Sequence, residues 1–251
     1  MVNVRRLLHT LLPFMVMNMV QRALLLMLKP YARTVFLGEA VSLAAFLLSA
    51  AAAVFMFRQK TYTDDSASDA PPLVKLPMGL SVMHTVVSVA VMTVVMYAVS
   101  FFAGGDSGET AQFTILGIVS AVILHPVMEE LIFRKMFYGE LRLMNPIFGG
   151  LAQALMFAIL HSTVDGMIYA LAGGVVLAVL YEHTGRIETS AAAHAFVNLR
   201  SVLCLTLLSD STALIHGLDF ALMIAGVICF VGCTALSAGV RRNQSEEEES
   251  E

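Results

Sequence analysis

Three charged residues lie inside one of the most apolar parts of the chain. The stretch HPVMEELIFRKMFY, residues 125–138, contains Glu129, Glu130 and Arg134. A charged side chain at the middle of a bilayer costs roughly 2.5–3.5 kcal/mol on insertion scales, so such residues persist where they pair or act. Glu130 and Arg134 are four residues apart and share a helix face, which predicts a supporting ion pair. Glu129 points about 100° away from Glu130, and we interpret it as the working carboxylate.

Three further polar residues are predicted at a similar depth. His161 follows an apolar run, and His194 and Asn198 are four residues apart on one face of another. The segments carrying Glu129 and His161 form a hairpin that turns at residues 145–146. Because Glu129 lies 16 residues before Asn145 and His161 lies 15 after Pro146, a constant rise per residue places them at nearly equal depth. We therefore expect four residues from three helices to converge on one layer.

These side chains are chemically complementary. A carboxylate in an apolar cavity is a suitable general base, and a nearby histidine can share its proton or orient a water molecule. A second histidine and an asparagine amide can donate hydrogen bonds to an oxyanion. Together they could add water to an amide carbonyl. An alternative is a Zn²⁺ site with Glu129, His161 and His194 as ligands and one open position.

The composition sets the class of fold in which these residues lie. Of the 251 residues, 58% are hydrophobic and 14% are charged, whereas a soluble domain carries about 25% charged residues. The long apolar runs lack the alternation of a β-barrel, so we predict an all-α polytopic membrane bundle of about eight transmembrane helices. No basic patch for nucleic acid is present. The predicted spans are roughly 7–28, 35–57, 80–103, 113–142, 147–163, 166–183, 187–208 and 214–239.

Breaks in the hydrophobic pattern divide the chain into four parts. We predict a two-helix N-terminal part at 1–62, a polar linker at 63–79, a catalytic membrane core at 80–240 and a disordered acidic tail at 241–251. Lys and Arg residues concentrate in the connections on one side of the predicted membrane, which places both termini in the cytoplasm. Glu39, in the second span, is an isolated acid for which Arg22 is one candidate partner.

The motifs together resemble a known family of intramembrane proteases. EExxxR, FxxxH and HxxxN occur here as Glu129, Glu130 and Arg134, then Phe157 and His161, then His194 and Asn198. Their order and approximate spacing are similar to those of the CPBP family. This family comprises the CAAX-protease and bacteriocin-processing, or Abi, proteins and includes the type II CAAX prenyl endopeptidases. The resemblance covers about residues 116–199.

The resemblance implies a specific chemistry. Glu129 with His161 would activate a water molecule, and His194 with Asn198 would form the oxyanion site, with Phe157 packing beside them. The substrate would be a peptide bond of a membrane-associated, prenylated or otherwise lipidated, or exported peptide. Two rival classes use the same residues: an ion-coupled transporter, because intramembrane acids and histidines also relay protons, and a non-catalytic scaffold or immunity protein.

Overall fold

The computed structural model describes residues 2–59, 73–103, 112–206 and 212–248, and these residues form eight helices and no strand. The predicted all-α class is thereby confirmed. A short 3₁₀ turn, Lys29–Tyr31, follows the first helix. The helices are α1 (Val2–Leu28), α2 (Val35–Arg58), α3 (Met78–Ala103), α4 (Ile115–Leu141), α5 (Pro146–Ile159), α6 (Val164–Thr184), α7 (Ile187–Thr206) and α8 (Thr212–Glu248).

Six of these helices are long and apolar enough to cross a membrane, as judged by length and composition: α1, α2, α3, α4, α6 and α8. The chain is therefore a polytopic helical membrane protein. Helix α5 is apolar but has only 14 residues, so it extends about 21 Å, less than the roughly 30 Å of a hydrocarbon core. Helix α7 contains charged and polar side chains and does not meet the same standard of hydropathy.

Parts of the predicted domain division lie outside the described residues. Most of the linker lies at 60–72, outside the described residues, and residues 78 and 79 already belong to α3. The backbone of α8 continues to Glu248 and so includes residues 241–248 of the acidic segment. The last three residues lie outside the described part of the chain. The division into four parts therefore stays a prediction.

Helix α4 is not a uniform α-helix. It is α-helical at Ile115–Val119, at His125–Glu130 and at Gly139–Leu141, and π-helical at Ser120–Leu124 and at Leu131–Tyr138. Single π-helical turns occur mostly inside α-helices and frequently at functional sites. Two of them flank the turn that carries both acidic residues.

Pro126 accounts for part of this irregularity. The preceding residue, His125, donates its backbone N–H to the carbonyl of Ser120, five residues back. Pro126 has no N–H, so in the same register the carbonyl of Ala121 is left without its intrahelical donor. The proline in the sequence predicts a freed carbonyl in this part of the helix. The buried Pro126, about one turn before Glu129, lies where the helix changes its hydrogen bonding.

The hairpin between α4 and α5 turns at the predicted position. Asn145 caps α5 by accepting a hydrogen bond from the backbone N–H of Phe148 at 2.9 Å. Gly149 permits the tight turn, because a Cβ atom there would lie 2.7 Å from the backbone nitrogen of Arg142. Arg142 also forms an ion pair with Glu182 of α6 at 2.6 Å. The start of α5 and the end of α4 are thus fixed to the same neighbour.

Two hydrophobic clusters meet at α6, and the charged residues of α4 lie between them. The first cluster joins α1, α2, α4 and α5 around the buried rings of Phe133, Phe137 and Phe157. The second joins α3, α6 and α7 around Met92, Leu177 and other apolar side chains. Helices α4 and α7 contact each other at this junction, and that contact holds the candidate site.

Candidate active site

Glu130 is the centre of a buried polar network. Its side chain has no solvent exposure, and one of its oxygens lies 3.1 Å from Nε of Arg134, whose side chain is equally inaccessible. His194 of α7 places Nδ1 at 3.0 Å from the other oxygen, and the hydroxyl of Ser190 donates to the carboxylate. The ion pair expected from the spacing of four is confirmed, and two residues of α7 complete its surroundings.

Glu129 faces the same histidine from the open side of the site. Its side chain retains 17% of its exposure, against none for Glu130, and its Oε2 lies 3.6 Å from Nε2 of His194. An ionised carboxylate only accepts hydrogen bonds, so His194 donates Nδ1–H to Glu130. This bond orients the imidazole and leaves Nε2 facing Glu129. The histidine is therefore held between two carboxylates of different accessibility.

Asn198 is attached to the irregular part of α4. Its Nδ2 donates a hydrogen bond to the carbonyl of Ala121 at 2.9 Å, the carbonyl that Pro126 leaves without an intrahelical donor. Since an amide nitrogen has two hydrogens, one N–H of Asn198 is used in this contact and the other remains for a ligand. Half of its donor capacity therefore serves the fold, and its place in the predicted layer stays a prediction.

His161 lies beside the site without touching Glu129. Its Nδ1 donates to the carbonyl of Phe157 at 3.2 Å, one turn back on α5. The ring of Phe157 lies edge-on to both His161, at 5.2 Å, and His194, at 5.7 Å. No hydrogen bond or ion pair joins His161 to Glu129 within the described side chains. The Phe157 ring therefore links His161 to His194, and the cooperation of His161 with Glu129 stays a prediction.

Phe157 forms one wall of the site. Besides the two histidines it contacts Phe133, and the guanidinium carbon of Arg134 lies 5.0 Å from the centre of its ring. A cation over an aromatic face is attracted by the ring quadrupole. The predicted place of Phe157, packed beside the site, is where the structure puts it.

The described residues do not assemble the metal centre considered as an alternative. Among them, no group of three or more His, Cys, Asp or Glu side chains is placed to hold a metal ion. Of the three candidate Zn²⁺ ligands, His194 and Glu129 approach each other at 3.6 Å, and His161 forms no ligand group with them in the described part of the chain. The donor set therefore does not fit Zn²⁺ as arranged, and we derive no step through a metal.

Ser190 is the residue of the site that sequence reasoning missed. It lies four residues before His194, which in turn lies four before Asn198. Residues at this spacing share one helix face, so the three form a polar ladder along one face of α7. That pattern was visible in the sequence, but a lone serine in a membrane helix commonly bonds to its own backbone, and the partner on α4 gave no separate signal.

The segment that carries these side chains is similar to known proteins. Residues 111–200 match the family described as type II CAAX prenyl endopeptidase Rce1-like. Over 106 residues the chain is 34% identical to "Putative membrane peptidase YdiL" of Bacillus subtilis (strain 168), an alignment that covers 39% of this chain and 43% of that protein. No solved structure matches the chain significantly. The matched segment contains every residue of the site described above, so the part of the chain that holds the site is similar to the Rce1-like type II CAAX prenyl endopeptidases. The chain spans less than half the length of the curated relative it matches.

Proposed function

We propose that this chain is an intramembrane endopeptidase that hydrolyses a peptide bond of a membrane-associated, lipidated or exported peptide. One observation carries the proposal: the accessible carboxylate of Glu129 faces an imidazole that a second, fully buried carboxylate holds in place. Such a pair can move a proton to and from a water molecule without rearranging the surrounding helices.

In the proposed reaction, Glu129 takes a proton from a water molecule as the oxygen attacks the carbonyl carbon of the substrate. The carbonyl π bond breaks, and its electron pair forms the oxyanion of a tetrahedral intermediate. The C–N bond then breaks, the carbonyl re-forms and Glu129 returns the proton to the leaving amine. The products are a carboxylic acid and an amine, and the carboxylate of Glu129 is regenerated.

We assign the oxyanion site to His194 and Asn198. Because Nδ1–H of His194 is committed to Glu130, its Nε2 donates only when the ring is protonated. The second N–H of Asn198 is the other donor.

We assign His161 to orienting the same water molecule. Its Nδ1 bonds to a backbone carbonyl, so Nε2 of the neutral ring is an acceptor that can orient a water molecule. In this scheme Glu130 and Arg134 hold the histidine and the helix, and Phe157 excludes bulk water. The last role follows from its 4% exposure.

We further propose that all eight helices form one intramembrane body, with α5 and α7 enclosed by the six longer ones. The positive residues of the connections then place both termini in the cytoplasm. In that orientation, the end of α4 that carries Arg142 and the turn at Gly185 face the cytosol, which is the side from which a lipidated peptide would enter.

The test uses purified protein in liposomes. Membrane peptides from cells that express wild type or Glu129→Ala are first compared by mass spectrometry to find a cleaved peptide. That peptide is then given to wild type, Glu129→Ala and His161→Ala, with Glu188→Ala as a matched control because Glu188 is an exposed acid at the start of α7. We expect Glu129→Ala and His161→Ala to lose turnover and the control to keep it. Wild-type turnover in Glu129→Ala would refute the mechanism, and solute flux without cleavage would favour a transporter.

A further inference from the structure

An acidic residue outside the family-matched segment is bonded to the start of the catalytic helix. Glu39 of α2 accepts a hydrogen bond from the backbone N–H of Thr114 at 3.0 Å, and its other carboxylate oxygen accepts one from the Thr114 hydroxyl. Thr114 is the N-cap residue of α4, and its Oγ1 also accepts from the N–H of Gly117. Arg22, the partner considered from sequence, bonds to Asn18 instead.

The contact requires a glycine on the facing helix. A Cβ atom on Gly117 would lie 1.9 Å from Oε1 of Glu39 and 2.4 Å from its carboxyl carbon. Glu39 and Gly117 therefore fit each other, and either residue can be changed to disturb the same contact. A carboxylate at this position also complements the unpaired N–H groups and the positive end of the helix dipole.

Helix α4 depends on such external contacts more than a regular helix would. It contains two π-helical segments, and Pro126 removes one bond of the ladder. Helix α2 contacts it again further along, where the ring of Phe46 lies edge-on to His125 at 4.5 Å. At its far end, Glu140 is paired with Arg6 of α1 at 3.1 Å. The α1–α2 hairpin thus fastens the helix at its start, middle and end.

We infer that Glu39 is a positioning residue of the proposed peptidase site. It fixes the start of α4, and thereby the depth and rotation at which Glu129 meets His194. This inference rests on the proposed function, because its consequence is a correctly placed base. Glu39 itself does not reach the reacting atoms.

The kinetic test disturbs the contact from both helices. Glu39→Ala removes the carboxylate, Glu39→Gln keeps its shape, and Gly117→Ala displaces it. A misplacement of about 1 Å can cost about 100-fold in rate, so we expect Glu39→Ala and Gly117→Ala to lower kcat by about ten- to a hundredfold with KM within about twofold. Gly79→Ala is the matched control, because a Cβ atom at Gly79 meets nothing within 4 Å.

A double variant separates positioning from general weakening of the fold. In Glu39→Ala/Gly117→Ala the added methyl group has no carboxylate to displace, so the loss of kcat should equal that of Glu39→Ala alone. Two losses that multiply would overturn the inference, because independent sites add in free energy. Size-exclusion profiles and melting temperatures identify the variants that fold. Glu39→Gln is the mildest change, and we expect it to lose the least activity.

Amide hydrogen exchange provides a readout that needs no substrate. We expect Glu39→Ala to raise exchange in peptides covering 112–119 and, more weakly, 127–131, while peptides from α7 keep wild-type rates. If wild type cleaves no peptide, the proposed function fails but the exchange result still tests the anchor. If cleavage is normal in Glu39→Ala, or exchange at 112–119 is unchanged, the inference fails and the peptidase assignment stands.

Discussion

Glu129 and Glu130 are neighbours in sequence, but we expect their substitutions to differ in effect: Glu130 should affect stability and Glu129 turnover. Neither side chain of the Glu130–Arg134 pair has any solvent exposure. None of the three guanidinium nitrogens makes a hydrogen bond of good geometry to a described residue, so the ion pair supplies the main compensation for a buried cation. Removing one partner of such a pair costs about 3–5 kcal/mol.

Glu130→Gln should therefore destabilise the protein by about 3–5 kcal/mol. For a chain of this length, 1 kcal/mol corresponds to about 2–4 °C, so the expected loss in melting temperature is roughly 6 to 20 °C. Glu129→Gln is the matched control: its side chain is partly exposed and its contact with His194 is 3.6 Å. We expect it to abolish turnover and to change stability by less than about 1 kcal/mol.

The assay is thermal unfolding of detergent-solubilised protein, followed by thiol labelling of the three cysteines or by size exclusion. A double variant, Glu130→Gln/Arg134→Met, removes both charges and should recover at least half of the lost stability, since replacing a buried pair by apolar groups is often neutral. The reasoning is refuted if Glu130→Gln melts within 2 °C of wild type, or if Glu129→Gln is the less stable of the two.

Three further predictions concern the surroundings of this pair. Ser190→Ala should cost about 1.5–3 kcal/mol, because it removes a hydrogen bond to a buried carboxylate; the same unfolding assay measures it. Asn198→Ala should cost about 1–3 kcal/mol by leaving the Ala121 carbonyl unpaired, and adding Pro126→Ala should restore stability without restoring turnover. Treatment with a chelator should leave cleavage of the identified peptide unchanged, with metal analysis of the active protein as its check; loss of activity that Zn²⁺ restores would contradict the arrangement described.

Much of the fold could be predicted because its determinants are local. Helix positions follow from apolar runs, and each predicted span corresponds to one helix. The turn at Asn145 and Pro146 follows from capping chemistry. The pairing of Glu130 with Arg134 follows from a spacing of four, which is a property of one helix. None of these predictions needs to know how two helices are rotated about their axes.

Contacts between helices could not be predicted in this way, because they depend on how each helix is rotated about its axis. Counting residues from a turn gives the depth of a side chain but not its direction, so the hydrogen bond from the His161 ring to the Phe157 carbonyl could not be predicted. The π-helical turns of α4 add to the difficulty, since each changes the rotation of every residue that follows. Glu39 and Thr114 are 75 residues apart, and no periodicity links them.

The spacing within α4 also decides which acid becomes the accessible one. Successive residues of a helix point about 100° apart, so any rotation that buries Glu130 turns Glu129 toward a different neighbour. Arg134 fixes that rotation, because it lies four residues after Glu130 and five after Glu129 and so pairs best with the former. His194 then meets both acids, one through each ring nitrogen. The buried pair thus selects which carboxylate stays accessible, and exchanging the two positions would require moving Arg134 by one position as well.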